Sequence, residues 1–375
     1  MKLKRVSVKG LNNKVDCDFE FHNDINIVTG INGCGKTTFL KMLWYAISGN
    51  IERLISDISF EAFNLETSHF CLSLFNIDGG TQWQHIANGI KQNGLINLGE
   101  YNSANEIEVL KSLIIKERTS SLFFPTFRRI EGGYLKTIAN IRSMGETEKN
   151  LSYIFEKPID GFSRRIQDDF EKLSDTLTCL DHKFICSIST HDLGYLLRLH
   201  HADTTEKIDK YSLALNKSLI SKLENIKSGI EDSRDESLTI VSNLQREVTD
   251  VSNRREELLQ PFKVLSELVT KVLHYKGVKL DDFTIGESDN AIDSRLLSAG
   301  EQQMLSFLCY NAFYEDSIIF IDEPEISLHL DWQRRLFPSL MRQQTSNQFI
   351  VATHSPCIYS KYEDKELLLS EEKGE

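Results

Sequence analysis

The sequence predicts an α/β fold: a mixed core sheet with an antiparallel β subdomain beside it, interrupted by a helical, partly coiled-coil insertion. Three stretches carry that expectation. Gly30-Ile31-Asn32-Gly33-Cys34-Gly35-Lys36-Thr37 is a G-x-x-x-x-G-K-T loop between an apolar strand and a helix. Ile318-Ile319-Phe320-Ile321 is a second apolar strand, closed by the carboxylates of Asp322 and Glu323. Between them, Val241, Leu244, Val248, Val251, Leu258, Phe262, Leu265, Val269 and Val272 follow alternating three- and four-residue steps, broken at Arg255.

In chain order, Leu3, Val6 and Val8, then Val15, Cys17, Phe19 and Phe21, alternate as two strands joined by the Gly10-Leu11-Asn12-Asn13 turn. Ile25-Asn26-Ile27-Val28 is a short buried strand. After the loop, Phe39, Leu40, Leu43, Trp44 and Ile47 repeat at helical spacing. Glycines let the loop backbone turn successive N–H groups inward on phosphate oxygens, and the helix that follows adds the positive end of its dipole. Lys36 then supplies a charge to the β- and γ-phosphates, and the Thr37 hydroxyl is placed to ligate Mg²⁺. The expected phosphate contacts are Asn32, Gly33, Cys34, Gly35, Lys36, Thr37 and Thr38.

Phe70, Leu72 and Leu74 alternate again, and Asp78-Gly79-Gly80 is a hairpin turn before Thr81-Gln82-Trp83-Gln84-His85-Ile86. Ile107, Leu110 and Ile114 mark a short amphipathic helix from Asn105 to about Lys116, followed by the strand Leu122-Phe123-Phe124 and its stop at Pro125. The string Thr126-Phe127-Arg128-Arg129-Ile130-Glu131-Gly132-Gly133 follows. Its two arginines fit either a phosphate or interface contact or an exposed basic loop.

From about residue 145 to 277 the pattern turns helical, with Phe162, Ile166, Phe170 and Leu173 on one face. Ile208, Leu215, Leu219, Leu223, Ile226 and Ile230 form a looser stripe, separated from the 241–272 stripe by the polar run Glu231 to Ser237. An antiparallel helical hairpin follows, reaching about 35–50 Å at ~1.5 Å per residue, with Pro261 in its returning arm. Packing of the same stripe against the rest of the chain is the alternative. The head then resumes at 278–375.

Leu297-Ser298-Ala299-Gly300-Glu301-Gln302-Gln303 is a small Ser-x-Gly turn at a helix start, where a hydroxyl and free N–H groups converge on one point. Asp322, at the end of its strand, is placed to hold Mg²⁺ opposite Thr37, and Glu323 to polarise an attacking water. A last apolar strand, Phe349-Ile350-Val351-Ala352, ends in Thr353-His354-Ser355-Pro356. That puts His354 at the carboxyl end of a parallel strand, where open α/β sheets bind ligands. It is placed to contact a γ-phosphate or the attacking water.

The chain has 375 residues, 40% hydrophobic and 26% charged, with a net charge of −12. That balance is of the globular kind and lacks the overall basic footprint of a dedicated nucleic-acid binder, leaving local patches open. No apolar run approaches the ~18 residues of a membrane span, and the N-terminus lacks a signal-peptide segment, so the expected location is cytoplasmic, without a membrane. Seven cysteines without C-x-x-C pairing indicate neither zinc nor a disulfide framework.

With these motifs in order, the chain resembles the ABC-type ATPases of the SMC, RecF and OLD class. Walker A lies at Gly30 to Thr37, the signature at Leu297 to Gln303, Walker B at Ile318 to Glu323 and the switch histidine at His354. The resemblance implies that residues 1–144 and 278–375 form one P-loop ATPase head around the insertion 145–277, using ATP and Mg²⁺. It further implies that two heads sandwich ATP, with Ser298, Gly300 and Glu301 of one facing the Walker A of the other in a homodimer or higher oligomer. Glu325-Ile326-Ser327-Leu328-His329 resembles the D-loop of the OLD-like branch. The Q-loop is not assigned; Gln82, Gln84 and the Pro125–Arg129 loop are its candidates. The Pro-Thr-Phe-Arg-Arg string and compact insert resemble stand-alone ATPase subunits of anti-phage systems of the Septu, PARIS and retron-associated types. That implies a separate effector, a nuclease or toxin, and no nuclease domain in this chain. A RecF- or SMC-like DNA repair ATPase is the alternative.

Overall fold

A computed structural model describes residues 1–97, 103–126, 128–130, 161–188, 190–228, 234–273 and 298–370. Leu297, the expected boundaries at 144/145 and 277/278, and the residues Glu131 to Gly133 and Glu231 to Ser233 lie outside them.

Two sheets face each other. The first joins β1 (Leu3–Leu11), β2 (Val15–Glu20), β4 (Ala62–Thr67), β5 (Phe70–Ile77), β6 (Gly80–Ala87) and β7 (Ile90–Ile96) in the order β2-β1-β4-β5-β6-β7, antiparallel throughout. The second orders β10 (His182–Phe184), β8 (Ser121–Phe124), β12 (Ile318–Asp322), β13 (Gln348–Ala352), β3 (Ile25–Thr29) and β14 (Glu366–Leu368). Its five ladders are parallel. The mixed pairing expected of one core sheet is therefore divided between two. β3, β12 and β13 are buried at every residue, as parallel strands covered on both faces must be.

Between the sheets runs α1 (Lys36–Ser48), with ten of its thirteen residues buried. Trp44 packs its ring 5.5 Å from Phe123 and 5.4 Å from Phe184, and Phe123 stacks on Phe184 at 5.3 Å and on Phe320 at 6.0 Å. The helix after the phosphate loop is thus fixed by aromatic contacts to two strands of the core sheet, and through Phe123 to a third. On the opposite face α7 (Ala299–Phe313) and α8 (Leu330–Met341) close a second core with Leu305, Phe307, Leu336, Phe337 and Phe349. The far ends of the sequence are stitched directly: Leu3 N donates to Gln348 Oε1 at 2.7 Å and Gln348 Nε2 donates to Leu3 O at 3.0 Å.

Within the described part of the stretch expected to be helical from 145 to 277, short strands interrupt the helices. After α4 (Gly161–Leu177), the strand β10 extends the core sheet beside β8, and β11 (Ser187–Ile188) pairs with β9 (Arg129–Ile130). Strands of two or three residues are too short to register a period, so they are hidden in the sequence. The hairpin proper is α5 (Thr190–Ser228) and α6 (Arg234–Leu273). Its arms are registered by Ser218 Oγ donating to Glu247 at 3.0 Å, by the Lys222–Glu247 ion pair and by Arg254 stacked 5.3 Å over Tyr211. Nearer the head, Leu265 and Val269 of α6 are fully buried against α7. The stripe packs on the rest of the chain at Leu265 and Val269, whereas Val241 and Val248 farther out are exposed.

His182 joins β10 to the head through Ser121 Oγ at 2.8 Å and Thr119 Oγ1 at 3.3 Å. Burial lowers its pKa to about 4, against about 6.5 in the unfolded chain. Between those values the unfolded state binds a proton that the folded state refuses, so stability falls as pH drops from about 6.5 towards 4, by up to roughly 3 kcal/mol from this group. His182→Gln removes the titration; its urea-unfolding free energy should fall less steeply than that of the wild type over this range, and parallel curves would contradict the assignment.

Candidate nucleotide and metal site

The carboxyl ends of β3, β8, β12 and β13 open on one edge of the core sheet, the edge where a parallel sheet places its ligands. Walker A leaves β3 there. Its crest, Ile31 to Gly33, is exposed, and Gly30, Gly33 and Gly35 take φ values of 147°, 80° and 102°. A Cβ at Gly30 would also stand 2.8 Å from both Cys34 Sγ and Ser370 Oγ, so those side chains would have to move to admit one. Gly35 caps α1, and Lys36 turns its ammonium back into the loop, donating to Gly30 O at 2.9 Å and Ile31 O at 3.1 Å. Burial lowers its pKa, against the opposing pull of Cys34, Glu323, Asp322 and Glu325. Those three carboxylates therefore lie within electrostatic reach of the loop lysine. The loop is braced from behind: Thr29 Oγ1 donates to Glu366 at 2.6 Å and Ile31 N to Ser370 Oγ at 3.1 Å.

Asp322 ends β12 with only 1% of its surface exposed. Thr126 Oγ1 donates to its Oδ2, while Oδ1 is buried with no hydrogen-bond partner. An unpaired carboxylate oxygen in a dry site is costly, and a divalent cation is the partner that suits it. Such a cation would be held by Asp322, and the sequence expectation adds the hydroxyl of Thr37, a half-buried residue.

Glu323 points elsewhere, with 30% of its side chain exposed, and its Oε1 lies 4.0 Å from His354 Nε2. Burial raises its pKa, with Asp322 and Glu325 adding to that and His354 and Lys36 opposing. Its backbone is left-handed at φ 49°, costly for a glutamate, and is held by Glu323 N donating to Ala352 O at 2.8 Å. Arg128 holds it from the other side. That guanidinium is 8% exposed, donates to Pro125 O and Asp322 O at 2.7 Å and to Glu323 O at 2.9 Å, and lies 5.6 Å over the Phe307 ring. Burial lowers its pKa to about 10, so it stays charged at neutral pH. Arg128 departs from both alternatives expected of the paired arginines, a phosphate or interface contact and an exposed loop, by making an internal contact with the turn after β12; the side chain of Arg129 lies outside the described residues.

The candidate glutamines Gln82 and Gln84 lie in β6 of the antiparallel sheet, whereas Thr126 and Arg128 of the Pro125–Arg129 loop touch Walker B. Sequence reading missed Thr126 because a hydroxyl in a loop has no pattern; its place one residue after the strand-ending proline was the available signal. Glu325 was missed as a positioning group too: its Oε1 accepts from His354 N at 2.7 Å. Gln333 adds a further tie, accepting from Ser355 Oγ at 2.6 Å and donating to Leu328 O at 2.8 Å.

The signature turn sits on the same D-loop. Ser298 is exposed and caps α7 in a reciprocal box: Ser298 N donates to Glu301 Oε2 at 2.5 Å, and Glu301 N to Ser298 Oγ at 3.4 Å. Glu301, expected among the nucleotide contacts, is 2% exposed and turned to its own helix start, where it positions Ser298. A Cβ on Gly300 would meet Ser327 O at 2.3 Å, and Gln303 Nε2 donates to Pro324 O at 2.8 Å. The signature helix and the D-loop are thus in backbone contact. Among the described residues no cluster of three or more His, Cys, Asp or Glu side chains suits a metal, and no helix is long and apolar enough to cross a membrane.

A phosphate loop, a buried aspartate and an adjacent glutamate on one sheet edge, with a capped serine-glycine turn beside them, define a P-loop ATPase head of the ABC type. The chain belongs to the family described as AAA ATPase domain, which matches residues 1–359. It is 25% identical over 384 residues to Endonuclease GajA of Bacillus cereus (strain VD045), covering 98% of this chain and 58% of that protein. It is 22% identical over 356 residues to the DNA replication and repair protein RecF of Streptococcus gordonii, covering 82% of this chain and 93% of the relative. The chain thus spans somewhat over half the length of the first of these. Among solved structures it aligns with an SmcHead bound to the C-winged helix domain of ScpA, at 12% identity and a TM-score of 0.40, over 96% of this chain and 91% of the other.

Arg128→Met should leave three inward carbonyls without their charged donor. The expected loss is about 3 kcal/mol or more in urea unfolding, with Arg128→Lys failing to restore it because a lysine lacks the planar fork. Wild-type stability in Arg128→Met would contradict the clamp.

Proposed function

We propose that this chain binds and hydrolyses ATP and that its nucleotide state controls an effector acting in anti-phage defence. The single observation that carries the hydrolytic part is the pairing of a buried, half-unsatisfied Asp322 with a half-buried Glu323 at one strand end, within reach of Lys36. A link to a nuclease effector is supported by likeness along nearly the whole of this chain to a protein named as an endonuclease.

In this reading the backbone of Asn32 to Gly35 and the side chains of Lys36, Thr37 and Thr38 hold the triphosphate, the loop supplying N–H donors and Lys36 the charge. A divalent cation on Thr37 and Asp322 would supply neutralising charge to the phosphate oxygens. Glu323 orients and polarises the attacking water, its basicity raised by burial and by the neighbouring carboxylates. His354, held by Glu325 through its backbone N–H and 4.0 Å from Glu323, is the group that would contact the terminal phosphate. Catalysis is by positioning and charge, with no covalent intermediate. Ser298 and Gly300 act on the nucleotide of a second head, so turnover requires ATP-driven pairing of two copies; the exposed cap and its buried Glu301 brace suit that role.

Two variants separate binding from chemistry. Lys36→Ala should weaken ATP binding, measured with a fluorescent analogue, by tenfold or more. Glu323→Gln should bind ATP as the wild type does, lose about 10²–10⁴-fold in turnover and accumulate as a paired species in sedimentation. Undiminished hydrolysis by purified Glu323→Gln would sink the assignment.

A further inference from the structure

A second charged feature lies outside the nucleotide site. Lys271 at the end of α6, Arg334, Arg335 and Arg342 along α8, and Lys361 line a groove of about 340 Å³ floored by Leu268, Pro338 and Ser339. All five cations are exposed, and among the described residues no carboxylate lines the groove. Arg334 has Asp331 at 3.8 Å, an exposed pairing of little energy, and Lys361 donates to Arg334 O at 2.7 Å. Lys271, Arg335 and Arg342 make no ion pair among the described residues. In a chain of net charge −12, five cations gathered around one groove make a local positive field among the described residues.

We infer that this groove is a docking surface for the phosphate backbone of a nucleic acid. The complementarity is of charge and of length: Arg334 to Arg342 spans about 12 Å along the helix, room for roughly three successive phosphates of one strand. The apolar floor suits the sugar edge between them. The same helix starts at the D-loop, and its buried Gln333 ties Leu328 to Ser355, one residue from His354. A strand seated on the outer face of α8 therefore lies one helix-width from the residues that read the nucleotide, which gives the docked polymer a direct route to the ATPase.

The test is fluorescence anisotropy of a labelled 30-base-pair DNA duplex with the full chain, from 50 to 200 mM KCl, with and without ATP and Mg²⁺. The triple variant Lys271→Gln, Arg335→Gln, Arg342→Gln should bind at least tenfold more weakly, and the slope of log affinity against log salt should shrink by roughly 2–3. ATP affinity, read separately, should match the wild type and reports that the variant is folded. The single change Arg335→Gln, on an exposed side chain, should lower the slope by about 1. Unchanged affinity and slope in both variants would overturn the proposal. So would an absence of duplex binding by the wild type at 50 mM in both nucleotide states, or capture of polyglutamate in place of DNA.

Discussion

The constraint on which the rest of this structure depends is a carboxylate with nowhere else to turn. Asp322 lies at the end of a strand buried at all five residues, and one of its oxygens is satisfied by Thr126 while the other is not. A buried charge is tolerated only beside compensating charge. Lys36 on one side and Arg128 behind the turn supply it from within the protein, and a metal would complete it. The turn after β12 is consequently held from three directions: by Arg128, by Ala352 of the neighbouring strand and by Gln303 of the signature helix. The left-handed backbone of Glu323 is the local consequence, and it sets the glutamate away from the aspartate that precedes it.

Elements far apart in sequence meet at this point because parallel strands cannot be joined by short turns. β3 comes from the first thirty residues, β8 from the region of Phe123, and β12 and β13 from the last sixty, yet their carboxyl ends form one edge. The Leu3–Gln348 exchange and β14 behind the phosphate loop show the same closure from the outside. α1 transmits it, since its aromatic contacts with Phe123 and Phe184 fix the axis along which the loop presents Lys36.

Much of this was legible because it rests on local chemistry. Loop glycines, apolar strands of four or five residues and the carboxylates that end one of them leave marks in the sequence, and β2, β5 and β6 of the antiparallel sheet follow their alternation. The capping of α7 by Ser298 and Glu301 was visible as a string, but its meaning was not: a glutamate after Ser-x-Gly reads as a ligand until its carboxylate is found on its own helix start. Arg128 could not be resolved from its neighbour, because which arginine is buried depends on the long-range approach of β12. Thr126, Glu325 and Gln333 escaped for the same reason, and β10 was too short to interrupt a helical pattern. The basic groove joins α6, α8 and Lys361, which no window of sequence brings together.

The most direct test of the account is the metal dependence of nucleotide binding by Asp322. Calorimetric titration of the wild type with ATP should show markedly tighter binding with Mg²⁺ than with a chelator. In Asp322→Asn, which keeps an oxygen for Thr126 but loses the charge, that difference should disappear. An Asp322→Asn protein that retains the full metal dependence, or a wild type that has none, would contradict the central claim that this buried carboxylate is half of a metal–nucleotide site.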